Sequence, residues 1–286
     1  MTLHWTRSKK IGHYFEVCIT YILLVLGAVV VIFPLFWMLS TSLKAQMEVF
    51  VYPPEWIPKT LHWENYSQLL TIWPFFRYAG NSLLVTGANI IGKILASSLA
   101  AYGFARLRAP GKNLIFLIYL STMMLPDQVT LIPQFVFFNK LGWINSFYPL
   151  IVPAFLLGPF YTFLLRQFFM TIPFELEDAA RIDGCNTLQI LYRIILPLSG
   201  PALAIVAIFE FRNKWNDFLT PLIYLDSPVK HTLALALKFF QGSESSIPQL
   251  HLLMGASFLS MLPVLLLFTI AQKWFIQGIV FTGIKG

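Results

Sequence analysis

The chain has 286 residues, of which 57% are hydrophobic and only 12% are charged, and its formal net charge is +7. Soluble domains usually contain about 25% charged residues, because charged side chains cover much of their water-exposed surface. The composition therefore excludes a disordered chain, a coiled coil and a disulfide-rich secreted scaffold, and it argues against a soluble enzyme. It predicts an all-α polytopic membrane protein.

Six apolar segments follow one another along the chain. A spanning helix needs about 20 mainly apolar residues. The predicted spans are 17–39, 78–105, 113–138, 146–165, 198–225 and 252–272. The first run is longer than the apolar core of a cleaved signal peptide, which has about 7–15 residues, so we expect it to be a span. The whole of 1–286 is predicted to form a single integral membrane domain.

The positions of lysine and arginine predict the orientation, because cytoplasmic loops of membrane proteins are enriched in both. With the N-terminus inside, 11 of these residues fall inside, 6 outside and 3 within spans. The inside residues are Arg7, Lys9, Lys10, Arg106, Arg108, Lys112, Arg166, Arg181, Arg193, Lys273 and Lys285. We therefore expect both termini in the cytoplasm. The positive net charge does not indicate nucleic-acid binding, since the basic residues form no patch.

The loop at 171–197, between predicted spans four and five, has the features of a short helix. Thr171 is a candidate cap, Pro173 suits a first turn, and Gly184 suits a left-handed end. We predict one helix over 173–184 and a second helical run over 187–196. On local physics alone, an amphipathic helix lying at the membrane interface is an equally good interpretation.

The spacing within this loop resembles a known motif. Asp178-Ala179-Ala180, Gly184 and Ile194-x-Leu196-Pro197 keep the intervals of the EAA loop in permease subunits of bacterial ABC importers. Asp178 stands where the motif has Glu, although Glu177 precedes it. Further motifs are similar to the carbohydrate branch of the maltose-permease type, and the similarity covers nearly the whole chain. They are Arg166-Gln167-Phe168-Phe169, Arg181-Ile182-Asp183-Gly184, Trp215-Asn216-Asp217-Phe218-Leu219-x-Pro221-Leu222 and Thr282-Gly283-Ile284-Lys285-Gly286.

The resemblance implies the type I ABC importer permease fold, with six transmembrane helices and a cytoplasmic coupling helix, in the inner membrane of a bacterium. It implies an ATPase dimer, a second permease subunit, an extracytoplasmic solute-binding protein and the lipid bilayer as partners; the second permease subunit is expected to be a homologue, with a copy of this chain as the alternative. The residues expected to couple to the ATPase are Glu177, Asp178, Ala179, Ala180, Gly184, Ile194, Leu196 and Pro197.

ATP and magnesium are expected in the partner ATPase and not in this chain. The sequence has no GxxxxGK[ST] loop, no catalytic constellation and no paired metal ligands, so we expect neither enzymatic activity nor a cofactor or metal here. By the same resemblance, the C-terminal segment is expected to lie along the ATPase.

Charged residues lie inside the predicted spans, where each costs about 2.5–3.5 kcal/mol on insertion scales. Lys93 and Glu210 are each 12 residues from the inner end of their span, so both are predicted at the same depth, about 18 Å from that end. We predict that Lys93 approaches an acidic group of another span, Glu210 first and Asp127 second. A polar translocation path and a purely structural pairing explain these charges equally well.

The fifth span carries the residues predicted to line a translocation path or gate: Asn213, Trp215, Asn216, Asp217 and Tyr224. Most share one helical face, whereas Trp215 lies off it and packing is its alternative role. The function predicted is import of a sugar or oligosaccharide by alternating access. An anionic or phosphorylated polyol, an ion-coupled secondary transporter and a membrane-embedded enzyme are the alternatives. The sequence identifies neither the solute nor the subunit that contacts it.

Overall fold

The computed structural model describes residues 3–156, 158–241 and 249–283, and the secondary structure of this part of the chain is helical. The α-helices are α1 (Leu3–Ser42), α2 (Glu64–Ile72), α3 (Phe75–Arg106), α4 (Lys112–Ser121), α5 (Asp127–Lys140), α6 (Tyr148–Ile151), α7 (Pro159–Phe169), α8 (Glu175–Ile182), α9 (Thr187–Ile190), α10 (Leu196–Leu198), α11 (Gly200–Trp215), α12 (Leu219–Tyr224), α13 (Leu233–Gln241) and α14 (Leu250–Gly283). Short 3₁₀ turns and one π turn, Leu191–Ile195, lie between them.

Four helical segments of the described chain are long and apolar enough to cross a membrane, and two bent helix pairs bring the number to as many as six. The four are Glu16–Ser42, Phe75–Arg106, Tyr148–Phe169 and Leu250–Gln272. The bent pairs are Lys112–Met124 with Gln128–Lys140, at 98°, and Thr187–Leu198 with Gly200–Trp215, at 80°.

The first bend lies inside predicted span three, and the second lies at the inner end of predicted span five. Predicted span three breaks at Pro126, whose missing N–H and ring prevent a helix from continuing. The second bend lies at Ser199, where Pro201 occupies the first turn of α11. Predicted span five is interrupted again, because α11 ends at Trp215 and α12 begins only at Leu219.

The chain divides into two compact units, residues 1–73 with 243–259 and residues 74–242 with 260–286. In the first unit, the segment after α1 folds onto the end of that helix. The Asn65 side-chain amide donates to the carbonyls of Ser42 and Lys44, at 2.9 and 2.8 Å, and the hydroxyls of Ser42 and Tyr66 are 2.8 Å apart. Lys44 is buried, and burial lowers the pKa of its ammonium.

The second unit is built around α3, which packs against α7 and α11. Its apolar core includes Ala101, Leu165, Ile195 and Val206, all fully buried. Gly92 lets α3 approach the Val152–Phe155 turn, because a Cβ at this position would lie 2.8 Å from a ring carbon of Phe155. The centre of α3 is therefore fixed by contacts that a larger residue would prevent.

Candidate functional site

A polar cavity of about 680 Å³ lies in the second unit. Its walls come from α3, α5, α7, α11 and α12, together with residues 149–154. The lining is mainly polar and carries both signs of charge. Its polar members are Asn89, Lys93, Gln128, Thr130, Gln134, Tyr161, Glu210, Asn213, Lys214, Asp217, Thr220 and Tyr224. A second cavity of about 460 Å³ shares Lys93, Gln134 and Tyr161 with it.

Hydrogen bonds between helices hold one wall of this cavity. The Tyr161 hydroxyl donates to Oε2 of Glu210 at 2.8 Å, and the Asn213 side-chain amide donates to the Tyr161 oxygen at 3.4 Å. Glu210 is only 3% exposed, so its carboxylate depends on such donors. Tyr161 therefore ties α7 to α11 at the cavity surface.

A second wall forms where α11 gives way to α12. Nζ of Lys214 lies 3.3 Å from Oδ2 of Asp217, and Oδ1 of Asp217 accepts a hydrogen bond from the backbone N–H of Thr220 at 3.1 Å. One carboxylate thus balances a cation and also satisfies a free N–H at the start of α12. The interruption of span five places a charged pair at the cavity.

Three of the five residues predicted for the path line the cavity: Asn213, Asp217 and Tyr224. Trp215 is buried elsewhere, with its indole N–H donating to the Ser260 carbonyl at 3.0 Å, which agrees with its alternative packing role. Asn216 departs from the prediction. It is exposed, it is not part of the lining, and its amide donates to the Arg212 carbonyl at 2.8 Å. The reason is the end of α11 at Trp215, after which the helical periodicity assumed for this face no longer holds.

Lys93 and Glu210 line the same cavity, as counting residues from the span ends predicted. Their direct pairing stays a prediction, and the side chain of Asp127 lies outside the described part of the structure. The partner that sequence reasoning missed is Tyr161, which lies in a proline-rich run taken as an apolar span. A usable signal was present, since a buried tyrosine hydroxyl usually finds a hydrogen-bond partner.

The short helix predicted at 173–184 is α8, Glu175–Ile182, and its glycine end is confirmed. Gly184 has φ +83°, the left-handed conformation. The N–H of Gly184 donates to the Arg181 carbonyl at 3.1 Å and that of Cys185 to the Ala180 carbonyl at 2.9 Å, the Schellman pattern. The start was predicted wrongly. Thr171 does not cap α8, because its hydroxyl donates backwards to the Phe168 carbonyl at 2.7 Å.

The two adjacent acids of α8 differ in exposure. Glu177 is 2% exposed, with Oε1 lying 3.0 Å from Nε of Arg106, and the Tyr102 hydroxyl donates to its Oε2 at 3.3 Å. Asp178 is exposed. Glu177 was predicted as part of a surface for the ATPase, but the structure buries it against α3. Ala180, three residues further on, is buried on the same face.

The rest of the loop has a capped start and a buried middle. Asn186 and Gln189 form a capping box, with bonds of 2.9 and 2.8 Å between each side chain and the other's N–H. Ile194 and Leu196 pack against the apolar core. Of the eight residues predicted to couple, those exposed are Asp178, Ala179, Gly184 and Pro197. Ile182, which is 88% exposed, was not among the eight, because the EAA spacing leaves that position open and the Arg181–Gly184 motif was used only to identify the carbohydrate branch.

The family described as binding-protein-dependent transport system inner membrane component matches residues 93–280. The chain belongs to this family. The match takes in Lys93, the cavity residues of α11 and α12, and the whole EAA loop. The resemblance read from the motif spacing is therefore confirmed at the level of the family.

Members of the family with similar sequences are named for different solutes. The chain is 33% identical to the arabinooligosaccharides transport system permease protein AraQ of Halalkalibacterium halodurans, over 91% of this chain and 93% of that one. It is 34% identical to the sn-glycerol-3-phosphate transport system permease protein UgpE of Pectobacterium atrosepticum, over 91% and 95%. A crystal structure of a bacterial ABC transporter involved in the import of the acidic polysaccharide alginate has a chain with the same fold. Its TM-score is 0.83, at 23% identity over 92% of this chain and 98% of that chain.

Proposed function

We propose that this chain is the permease subunit of an ATP-driven importer that moves a sugar or oligosaccharide into the cytoplasm by alternating access. The observation that carries the proposal is the cavity of about 680 Å³, lined by amide, hydroxyl and charged groups inside an apolar helical unit. Polar groups are costly in a membrane and normally face water or a solute path. The family membership supports import with a binding protein.

A neutral polyhydroxyl solute fits the cavity best. Amides and hydroxyls offer donors and acceptors to sugar hydroxyls, and the ring of Phe160, which is 42% exposed, offers apolar surface to a sugar face. Lys214 is 3.3 Å from Asp217, so part of the positive charge in the lining is already balanced. A relative named for arabinooligosaccharides supports the same class.

The outer face of α8 provides the contact with a separate ATPase in this proposal. Asp178, Ala179 and Ile182 are exposed on a helix whose other face is buried. An exposed isoleucine next to alanine permits close apolar contact with a partner. ATP and magnesium bind in that ATPase, while this chain, with both termini in the cytoplasm of a bacterial cell, supplies half of the membrane pathway beside a second permease subunit.

The test is reconstitution of the complex that co-purifies with this chain into vesicles, followed by uptake of labelled oligosaccharides with and without ATP and binding protein. Asn213→Leu should lower uptake, because it removes an amide from the cavity wall. Asn216→Leu is the matched control, since its amide lies outside the lining. Equal uptake by both variants would remove the cavity from the pathway. Uptake driven by an ion gradient without an ATPase would overturn the proposal.

A second solute class has its own support. Lys93 and Lys214 both line the cavity, and one relative is named for sn-glycerol-3-phosphate. Competition in the same assay separates the classes. Neutral oligosaccharides should block uptake if the first candidate holds, whereas only phosphorylated or acidic compounds should block it if the second does.

A further inference from the structure

Arg106, the last residue of α3, contacts three separate parts of the second unit. Nε lies 3.0 Å from Oε1 of Glu177 in α8. Nη2 donates hydrogen bonds to the carbonyls of Phe169 and Ile172, at and just beyond the end of α7. The guanidinium also lies over the ring of Phe174, 4.1 Å from its centre. A single buried side chain thus joins the end of one long helix to the end of α7 and to α8.

The charges in this contact are removed from water. Arg106 and Glu177 are both buried, and the Tyr102 hydroxyl adds a hydrogen bond to the carboxylate. Taking two ions out of water is costly, and such a pair often stabilises a fold less than apolar residues of the same size would. Removing one partner is nevertheless strongly unfavourable, because the other ion is left buried and unpaired. Separating Arg106 from Glu177 is therefore unfavourable, which holds the two side chains in contact.

The α8 helix depends on such an anchor. It has eight residues, and isolated helices of that length are not stable in water. Apart from Ala180, its buried residue is the Glu177 that meets Arg106. The α3 helix, in contrast, is one continuous element of 32 residues that also carries Asn89 and Lys93 at the cavity. Lys93 is 13 residues from Arg106, about 20 Å along the axis by helix rise.

We infer that Arg106 is a positioning residue that locks α8 to α3, so that movement of α8 is transmitted along α3 to the cavity wall. The predicted consequence for transport rests on the proposed function. The contact between Arg106 and Glu177, which we call the clamp, does not depend on that function, because both residues belong to this chain. Apolar packing alone would allow α8 to slide, whereas the ion pair with Glu177 favours one register of α8, and the two carbonyl contacts hold the same guanidinium against the end of α7.

A cysteine next to α8 reports on the clamp. Cys185 directly follows Gly184, is half-buried and packs against the apolar core. The only other cysteine is Cys18, so the full-length Cys18→Ser variant leaves Cys185 as the single thiol. In this background, Glu177→Gln should raise the rate of maleimide labelling about tenfold, because Arg106 is then left buried without its counter-ion and α8 opens locally. Glu175→Gln, an exposed acid on the same helix, is the matched control and should leave the rate unchanged.

Coupling between the two residues gives the second readout. If Arg106 and Glu177 act as one unit, Arg106→Gln combined with Glu177→Gln should label no faster than the faster single variant. Where Glu177→Gln does not yield folded protein, Tyr102→Phe removes one bond to the same carboxylate and should still accelerate labelling. Unchanged labelling in folded Glu177→Gln or Tyr102→Phe, or additive single effects, would overturn the clamp.

The transport measurement tests the consequence of the clamp. Glu177→Gln should retain the co-purified ATPase, because the outer face of α8 is intact, while the amount of solute moved per ATP hydrolysed falls severalfold. Arg108→Gln, an exposed neighbour, should keep the wild-type ratio. An unchanged ratio in Glu177→Gln contradicts transmission through this pair. If the wild-type complex shows no ATP-driven uptake, the proposed function fails, and the labelling of Cys185 still decides whether the clamp exists.

Discussion

The two ends of α3 are held by different chemistry. Near its start, the Asn81 amide donates to the carbonyls of Val229 and His231, both at 2.9 Å, and the Ser82 hydroxyl accepts from the N–H of Leu233 at 2.8 Å. These bonds join neutral side chains to main-chain groups between Val229 and Leu233, the first residue of α13. At its last residue, Arg106 forms a buried ion pair with Glu177.

The two kinds of contact differ in how they respond when they are disturbed. A neutral amide contributes about 0.5–1.5 kcal/mol per hydrogen bond and tolerates water when the contact opens. A buried ion pair is stable only when both partners and their hydrogen bonds are in place. The Asn81 end can therefore relax gradually, whereas the Arg106 end is either assembled or broken. We expect substitutions at the two ends to differ accordingly.

The largest effect is expected for Arg106→Ala. This change leaves Glu177 buried without its cation and removes the donors to the Phe169 and Ile172 carbonyls, so it should cost about 3–5 kcal/mol. The measurement is the fraction of monodisperse protein after heating in detergent. Arg108→Ala, next to it and exposed, should behave as wild type. A loss of less than about 1 kcal/mol, the value typical of surface pairs, would show that the pair is not effectively buried.

Gly184→Val should have the next largest effect, and it acts on the element that Arg106 anchors. The φ of +83° disfavours an L side chain by about 1–2 kcal/mol, and a β-branched residue disfavours it more. No atom lies within 4 Å of a Cβ at this position, so the cost is confined to the backbone. We expect uncoupled transport, measured as ATP hydrolysed without uptake. Gly184→Asn should retain coupling because asparagine tolerates the left-handed region, and full uptake by the Val variant would contradict this account.

A smaller effect is expected at the neutral end. Asn81→Ala removes two hydrogen bonds from a half-buried site and should lower stability by about 1–2 kcal/mol. Labelling of Cys185 should stay at the wild-type rate, since α8 contacts the other end of α3. Faster labelling in this variant would mean that the two ends respond together, and the contrast between them would be lost.

The sequence predicted the structure correctly where a residue type strongly favours one local conformation or environment. Gly184 predicted a left-handed helix end, and the polar face of α11 predicted most of a cavity wall. The inward side of α8 was not predictable, because Glu177 and Asp178 are adjacent acids and only the position of a distant arginine distinguishes them. Arg106 itself was counted as a loop charge that sets orientation. The end of α11 at Trp215 was missed because predicted span five was drawn as one continuous helix through that residue.

The smallest effect concerns pH and belongs to the neutral end alone. His231, whose carbonyl accepts from Asn81, is 6% exposed and its ring stacks on Phe239 with 4.9 Å between ring centres. Burial lowers the pKa of this imidazole in the folded chain, whereas in the unfolded chain it titrates near 6.5. Between these values the unfolded state binds more protons, so this contribution to stability is complete above about pH 6.5 and declines as the pH falls towards the folded pKa.

His231→Phe keeps an aromatic ring at this position and removes the titration. As the pH is lowered from 7.5 to 5.5, the thermal midpoint of the wild type should therefore fall relative to that of His231→Phe. A difference that does not vary with pH would show that the imidazole is not held neutral by burial.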